Sequence, residues 1–151
     1  DLEMPNWCMN RLIVSGNEVK EFVSHSRIDG GSGDFSFSAL VPEPEYEDDQ
    51  QWYDWRNANW GVKWDVDGAR IEYNDNIATI SFDTPWNPPF AWLQKVSGMY
   101  PGLTFQNFAG EPGMNYHEEV IYRNGTEVSL LRESFEDNLE FWGFDKDDFG
   151  E

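Results

Sequence analysis

Tyr116-His117-Glu118-Glu119-Val120-Ile121-Tyr122-Arg123-Asn124-Gly125-Thr126-Glu127-Val128-Ser129-Leu130-Leu131 reads as two strands joined by a tight turn. Tyr116 to Tyr122 and Glu127 to Leu131 are rich in β-branched and aromatic residues. Asn124-Gly125 between them suits a type I′ turn, because both central residues need positive φ. Upstream lies a second such unit. Ala69 to Tyr73, the turn Asn74-Asp75-Asn76 and then Ile77 to Phe82 predict another hairpin. Between the hairpins, Pro88-Pro89 open a helix after the N-cap candidate Asn87, running to about Gly98 with Phe90, Leu93 and Val96 on its apolar side. Tyr100-Pro101-Gly102 turns the chain into a strand from Leu103 to Phe108.

Working back to the N-terminus, Arg11 to Val14 closes at Ser15-Gly16 and reads as the first strand. Asn17 is the N-cap expected for a helix from Glu18 to about Ser26, with Val19, Phe22 and Val23 on one face. Asp29-Gly30-Gly31-Ser32-Gly33 is expected to be a flexible loop. The strict alternation Phe35-Ser36-Phe37-Ser38-Ala39-Leu40 predicts a strand with one buried face, ended by Pro42 and Pro44. Glu45 to about Asn59 predicts a helix or helical loop, residues 62–67 a short strand, and Ser134 to Phe141 a short amphipathic helix.

The order β-α-β, hairpin, α-β, hairpin implies an α+β fold. The expected architecture is a ferredoxin-like split β-α-β unit, with an antiparallel or mixed sheet, helices packed mainly on one face and an extra hairpin. One domain over 4–132 is expected, followed by an acidic, aromatic segment over 133–151. Met4 is read as the native start, with residues 1–3 an appended remnant.

Charge is the outlier of the composition: 29 acids against 10 bases give a formal net charge of −19. Such a chain is unsuited to binding nucleic acid or an anionic membrane itself, and attracts basic surfaces. Eight Trp and eleven Phe are more than an acidic disordered chain carries, so a packed core is expected. Cys8 is the single cysteine, which excludes an internal disulfide and a Cys-based zinc cluster.

Five segments in order resemble the YubB-like (Api-type) protein family of phages and plasmids: Met4-Pro5-Asn6-Trp7-Cys8-Met9-Asn10-Arg11-Leu12, Phe35-Ser36-Phe37 leading to Leu40-Val41-Pro42-Glu43-Pro44, Trp55-Arg56 through Asn59-Trp60-Gly61-Val62-Lys63-Trp64, Phe82-Asp83-Thr84-Pro85-Trp86 with Pro88-Pro89, and Tyr100-Pro101-Gly102-Leu103-Thr104-Phe105. The resemblance implies a ferredoxin-like domain encoded by a mobile element and working in the cytoplasm of a bacterial host. It supplies no catalytic residues. Its setting makes an anti-defence role the expectation, inhibition of CRISPR effectors included. The acidic segment after residue 132 departs from the family pattern.

Two acidic clusters are the strongest functional signal. The first is Glu43, Glu45, Glu47, Asp48, Asp49 and Asp54, interleaved with Tyr46, Trp52, Tyr53 and Trp55. The second contains Glu136, Asp137, Glu140, Asp145, Asp147 and Asp148, interleaved with Phe135, Phe141, Trp142, Phe144 and Phe149. Carboxylates spaced along a folded surface can occupy a channel built for the phosphates of DNA, and aromatics among them suit hot-spot contacts. Core packing competes as the account of Trp52, Trp55, Phe141 and Trp142, and a solvated face as the account of the individual acids of the second cluster. The expected partner is a host defence effector with a basic nucleic-acid-binding surface, bound through Glu45, Glu47, Asp48, Asp49, Asp54, Trp52 and Tyr53 first. No cofactor, metal or membrane partner is expected, and no signal sets an oligomeric state.

Two other classes compete. The acidity could serve solubility alone, in a structural or accessory phage protein. A small metal protein or enzyme is the second: Asp65-Val66-Asp67-Gly68 and His117-Glu118-Glu119 hold ligand-type residues, but neither has the spacing of a known metal loop. No Walker, G-x-S-x-G or dinucleotide-binding pattern occurs.

Overall fold

The structure, a computed structural model, describes residues 6–28 and 34–148. The expectations about residues 1–4, the glycine-rich loop 29–33 and Phe149 lie outside the described residues.

Six strands form one antiparallel sheet: β1 Trp7–Ser15, β2 Arg70–Tyr73, β3 Ile77–Pro85, β4 Thr104–Glu111, β5 Tyr116–Arg123 and β6 Thr126–Glu133. Their spatial order is β2-β3-β1-β4-β5-β6. The first four strands make the ferredoxin-like arrangement, with β1 central between β3 and β4. The β5–β6 hairpin extends it past β4. Both turns are built as their residues predict. Asn124 and Gly125 take φ of 51° and 77°, and the Asn74 carboxamide oxygen accepts from the N–H groups of Asn76 and Ile77.

Four helices accompany the sheet: α1 Val19–His25, α2 Phe37–Leu40, α3 Asp49–Asn59 and α4 Phe90–Met99. β1 alternates perfectly, with Cys8, Asn10, Leu12 and Val14 buried toward the helix layer. There Leu12 and Val14 join Phe22, Phe37, Trp60, Ile80, Trp92 and Phe105 in one core cluster. Two fully buried indoles tie this layer together. Trp60 Nε1 donates to the Val41 carbonyl at 3.0 Å, and Trp92 Nε1 to the Phe37 carbonyl at 3.1 Å. Each ring removes a large apolar area from water while leaving no orphan donor.

Some local expectations are corrected. The run Phe35–Leu40 is not a strand. Phe35 makes only isolated bridges to Arg27 and Ala69, and the chain then turns into α2. Ser36 drives the change: its hydroxyl accepts from Ser38 N, while Asp65 accepts from Ser36 Oγ and from the N–H groups of Phe37 and Ser38. The serine of a period-2 pattern thereby becomes a buried helix cap. Residues 62–67 form no strand either. Arg56 donates to the Lys63 carbonyl and Asp65 caps α2, so side chains rather than a ladder hold this segment.

Helix starts also shift. The N-cap of α1 is Glu18, not Asn17, and that of α4 is Pro89, not Asn87. Asn87 instead donates to the Gly61 carbonyl at 2.9 Å. The expected helix 134–141 reduces to a 3-10 turn at Glu136–Asn138.

The opposite face of the sheet is covered by residues 135–142. Phe135 is fully buried, and Phe141 lies 4.8 Å from Phe108 and 4.5 Å from the Arg11 guanidinium, centre to centre. Trp142 sits over Gly110, where an added Cβ would come within 2.6 Å of the indole. Core packing is therefore the account of Phe135, Phe141 and Trp142. None of the described helices is long and apolar enough to cross a membrane.

Candidate partner-binding surface

α3 begins at Asp48, whose carboxylate accepts from Gln51 N at 3.0 Å. Asp49 sits in the first turn, where the helix dipole favours a negative charge. No residue of α3 is buried. Trp55 leans against the core and Trp52 is half-buried, whereas Tyr53 is exposed. Glu45, Glu47, Asp48, Asp49 and Asp54 are all exposed, so the first predicted cluster lies together on one stretch of surface.

Arg56, the base that interrupts this cluster in sequence, is turned inward. Its Nε and Nη2 donate to the Glu43 carboxylate at 2.7 and 3.1 Å, and its guanidinium lies 4.9 Å from the Trp52 ring centre. Partial burial works to raise the Glu43 carboxyl, but hydrogen bonds from Arg56 and Tyr46 outweigh it and leave its pKa below the ordinary value. Glu43 is thus a structural anchor and neutralises Arg56.

Beside α3 the surface is recessed. A cleft of about 420 Å³ is lined by Asp49, Trp52, Tyr53, Lys63 and Trp64. Trp64 also lines a neighbouring recess of about 520 Å³, together with Trp7, Asp67 and Asp83. This recess opens ahead of the start of β2, where β3 runs on past Ser81 toward Pro85. Trp7 is 42% exposed and tilts over Trp64 at 6.0 Å. Neighbouring groups remove part of the solvation of Asp83 and raise its carboxyl pKa. Sequence reading missed Trp7, Trp64, Asp67 and Asp83 as members of one surface. Trp64 was visible in the motif that ends Lys63-Trp64, but nothing in the chain order places Trp7 against it.

The second cluster is elsewhere. Glu136, Asp137, Glu140, Asp145 and Asp147 are exposed, and Asp148 ends a 3-10 turn at Lys146–Asp148. Glu136, Asp137 and Glu140 belong to the segment covering the face of the sheet opposite the helices, and the other three follow it in the chain. The sheet therefore stands between these three and the acids of α3.

The chemistry of other candidates is restrained. Burial drives the Cys8 thiol up to about 12, which keeps it protonated at neutral pH and a poor nucleophile. Asp65 is engaged in capping α2. His117 is buried and accepts from an indole. Among the described residues no three His, Cys, Asp or Glu side chains converge as metal ligands.

Comparison with known proteins agrees with this architecture. The model of the family described as the ferredoxin-like domain in Api92-like protein matches residues 59–147, so the acidic segment after residue 132, expected to depart from the family pattern, lies within it as far as residue 147. The crystal structure of the protein api92 from Yersinia pseudotuberculosis superposes with a TM-score of 0.60, covering 87% of this chain and 99% of that one at 10% identity, which shows a shared fold. No curated protein matches the chain. With more than half its length matched by that model, the chain belongs to the Api92-like family.

Proposed function

We propose that this protein is a non-catalytic inhibitor, acting in the cytoplasm of a bacterial host by binding the basic, nucleic-acid-binding surface of a defence effector. The observation that carries this reading is α3: a helix with no buried residue, set beside two aromatic-walled recesses, with its one arginine neutralised by Glu43. A helix that contributes little to the core is free to serve recognition. The net charge of −19 supplies long-range attraction to a basic partner, and Trp52, Tyr53, Trp64 and Trp7 supply apolar contact once docked. The defence setting rests on the resemblance to mobile-element proteins.

The test is binding to a panel of purified bacterial defence nucleases, with salt stepped from low to high and duplex DNA as competitor. A nuclease that binds, is released by salt, is displaced by DNA and is lost with Glu45→Lys, Glu47→Lys and Asp54→Lys together supports competition for the nucleic-acid site. Binding indifferent to salt, DNA and these changes, or no binding across the panel, overturns it.

A further inference from the structure

At the far edge of the sheet from β2, β6 is unprotected. All eight residues from Thr126 to Glu133 are exposed, and among the described residues only one side of the strand is paired, to β5. Val128, Leu130 and Leu131 are 56%, 46% and 47% exposed. Edge strands are ordinarily blunted by shortness, by proline or by inward-pointing charge. β2 at the other edge follows that rule with four residues, whereas β6 keeps eight, without proline, with its charges near the two ends, and with its one bulge, opposite Ile121–Tyr122, confined to its start so that Ser129 to Glu133 run in regular register.

A groove adjoins this edge on the helix side. It measures about 410 Å³ and is walled by Trp86, Pro88, Phe90 and Met114, with Glu118 and Arg132 also lining it. Arg132 Nε donates to Glu118 at 3.1 Å, so the one base of β6 is locally neutralised. Trp86 is held at φ 70°, a conformation costly for a bulky residue. Its N–H donates to the Asn6 carbonyl, and its carbonyl accepts from Tyr116 Oη at 3.1 Å. Those bonds present the ring to solvent beside Phe90 and Met114, all three more than 40% exposed.

We infer that β6 and this groove form a second docking site, which takes an extended segment of a partner protein as a seventh strand. Backbone hydrogen bonds to the free edge would give affinity, and the groove would select a large apolar side chain at alternate positions of the segment. Charge decides between occupants. A second copy brings another net −19, and the one base of its edge, Arg132, is already held by Glu118 and has little to offer the opposing Glu127. A segment with Lys or Arg at its ends meets Glu127 and Glu133 favourably. This site stands apart from α3 and does not depend on the reading of that surface.

The experiment selects from a display library of randomised segments of about ten residues, a length matched to one strand. Enriched segments are synthesised and titrated into the protein, with amide hydrogen exchange as the readout. The expected result is segments of alternating apolar residues with basic ends, new protection over residues 126–133, and at least about tenfold weaker binding to Val128→Lys, Leu130→Lys and Phe90→Ala. These positions are exposed, so far-UV circular dichroism should show the fold kept. The α3 lysine variant should bind the segments undiminished, which separates failure here from failure at α3. No enrichment, or binding that the β6 changes leave intact, overturns the inference. Protection of β6 that rises with protein concentration alone also overturns it, and assigns the edge to a second copy.

Discussion

The indole N–H of Trp142 donates to Nδ1 of His117 at 3.0 Å, across the face of the sheet opposite the helices. This bond needs the His117 tautomer with its proton on Nε2, because a protonated ring has no acceptor. His117 also packs edge-on against Phe141 and lies near Phe108, and Arg11 is stacked over Phe141 and Trp142. A charged imidazole at this place would lose its hydrogen bond and stand among rings already facing a guanidinium.

Stability should consequently fall in mild acid. Burial lowers the His117 pKa, against a weaker opposing pull from Glu133 and Glu119. With a folded pKa below the unfolded value of about 6.5, the unfolded chain takes up the proton first. The contribution of His117 is thus full above that value, declines as pH falls through it, and levels off below the folded pKa. Urea unfolding of wild type and His117→Phe between mildly alkaline and mildly acidic pH should show the wild type losing more stability than the variant. Equal losses would mean that the imidazole does not titrate against this contact.

Gly110 and Trp142 should be coupled. An added methyl at Gly110 would meet the indole at 2.6 to 2.9 Å, so Gly110→Ala should cost about 1–3 kcal/mol by overpacking. In a Trp142→Ala background most of that cost should vanish, and the interaction term of the double-mutant cycle measures the contact. An unchanged cost would place the penalty in the backbone of β4 instead.

Glu43 and Arg56 are each about a quarter exposed and joined by two hydrogen bonds. Glu43→Ala should destabilise the fold by about 2 kcal/mol, because the mostly buried guanidinium would lose its carboxylate and keep only the Lys63 carbonyl as acceptor. The Glu43 carboxyl is held below its ordinary pKa. Its contribution is therefore complete above the unfolded carboxylate range, about 4.3, and declines as pH falls through the folded value. Thermal unfolding of wild type and variant at neutral pH and near pH 3 should show the difference shrinking.

The acids of α3 should divide into two kinds. Asp48→Ala removes the helix cap and should cost about 1 kcal/mol. Glu45→Gln and Glu47→Gln offer exposed carboxylates and should change stability by less than about 0.5 kcal/mol. Thermal unfolding distinguishes the two, and it shows which residues can be altered in a binding assay without disturbing the helix.

Sequence order alone determined the two hairpins, the helix with Phe90, Leu93 and Val96, and the α+β class. Each depends on local chemistry: Asn124-Gly125 and Asn74 build their turns from their own backbone and side chains, and apolar spacing marks a buried helix face. The α3 acids were equally legible as a cluster, because they are neighbours in the chain. Tertiary structure decided the rest. Asp65 reaches back to cap α2 and turns an alternating run into a helix. Trp7 meets Trp64, and Trp142 finds His117, only because the sheet brings distant residues together. Which side of an acidic, aromatic stretch faces water is likewise set by the surface it packs on. For residues 135–142 that surface is the face of β1, β4 and β5 opposite the helices, which buries the rings and turns the carboxylates outward.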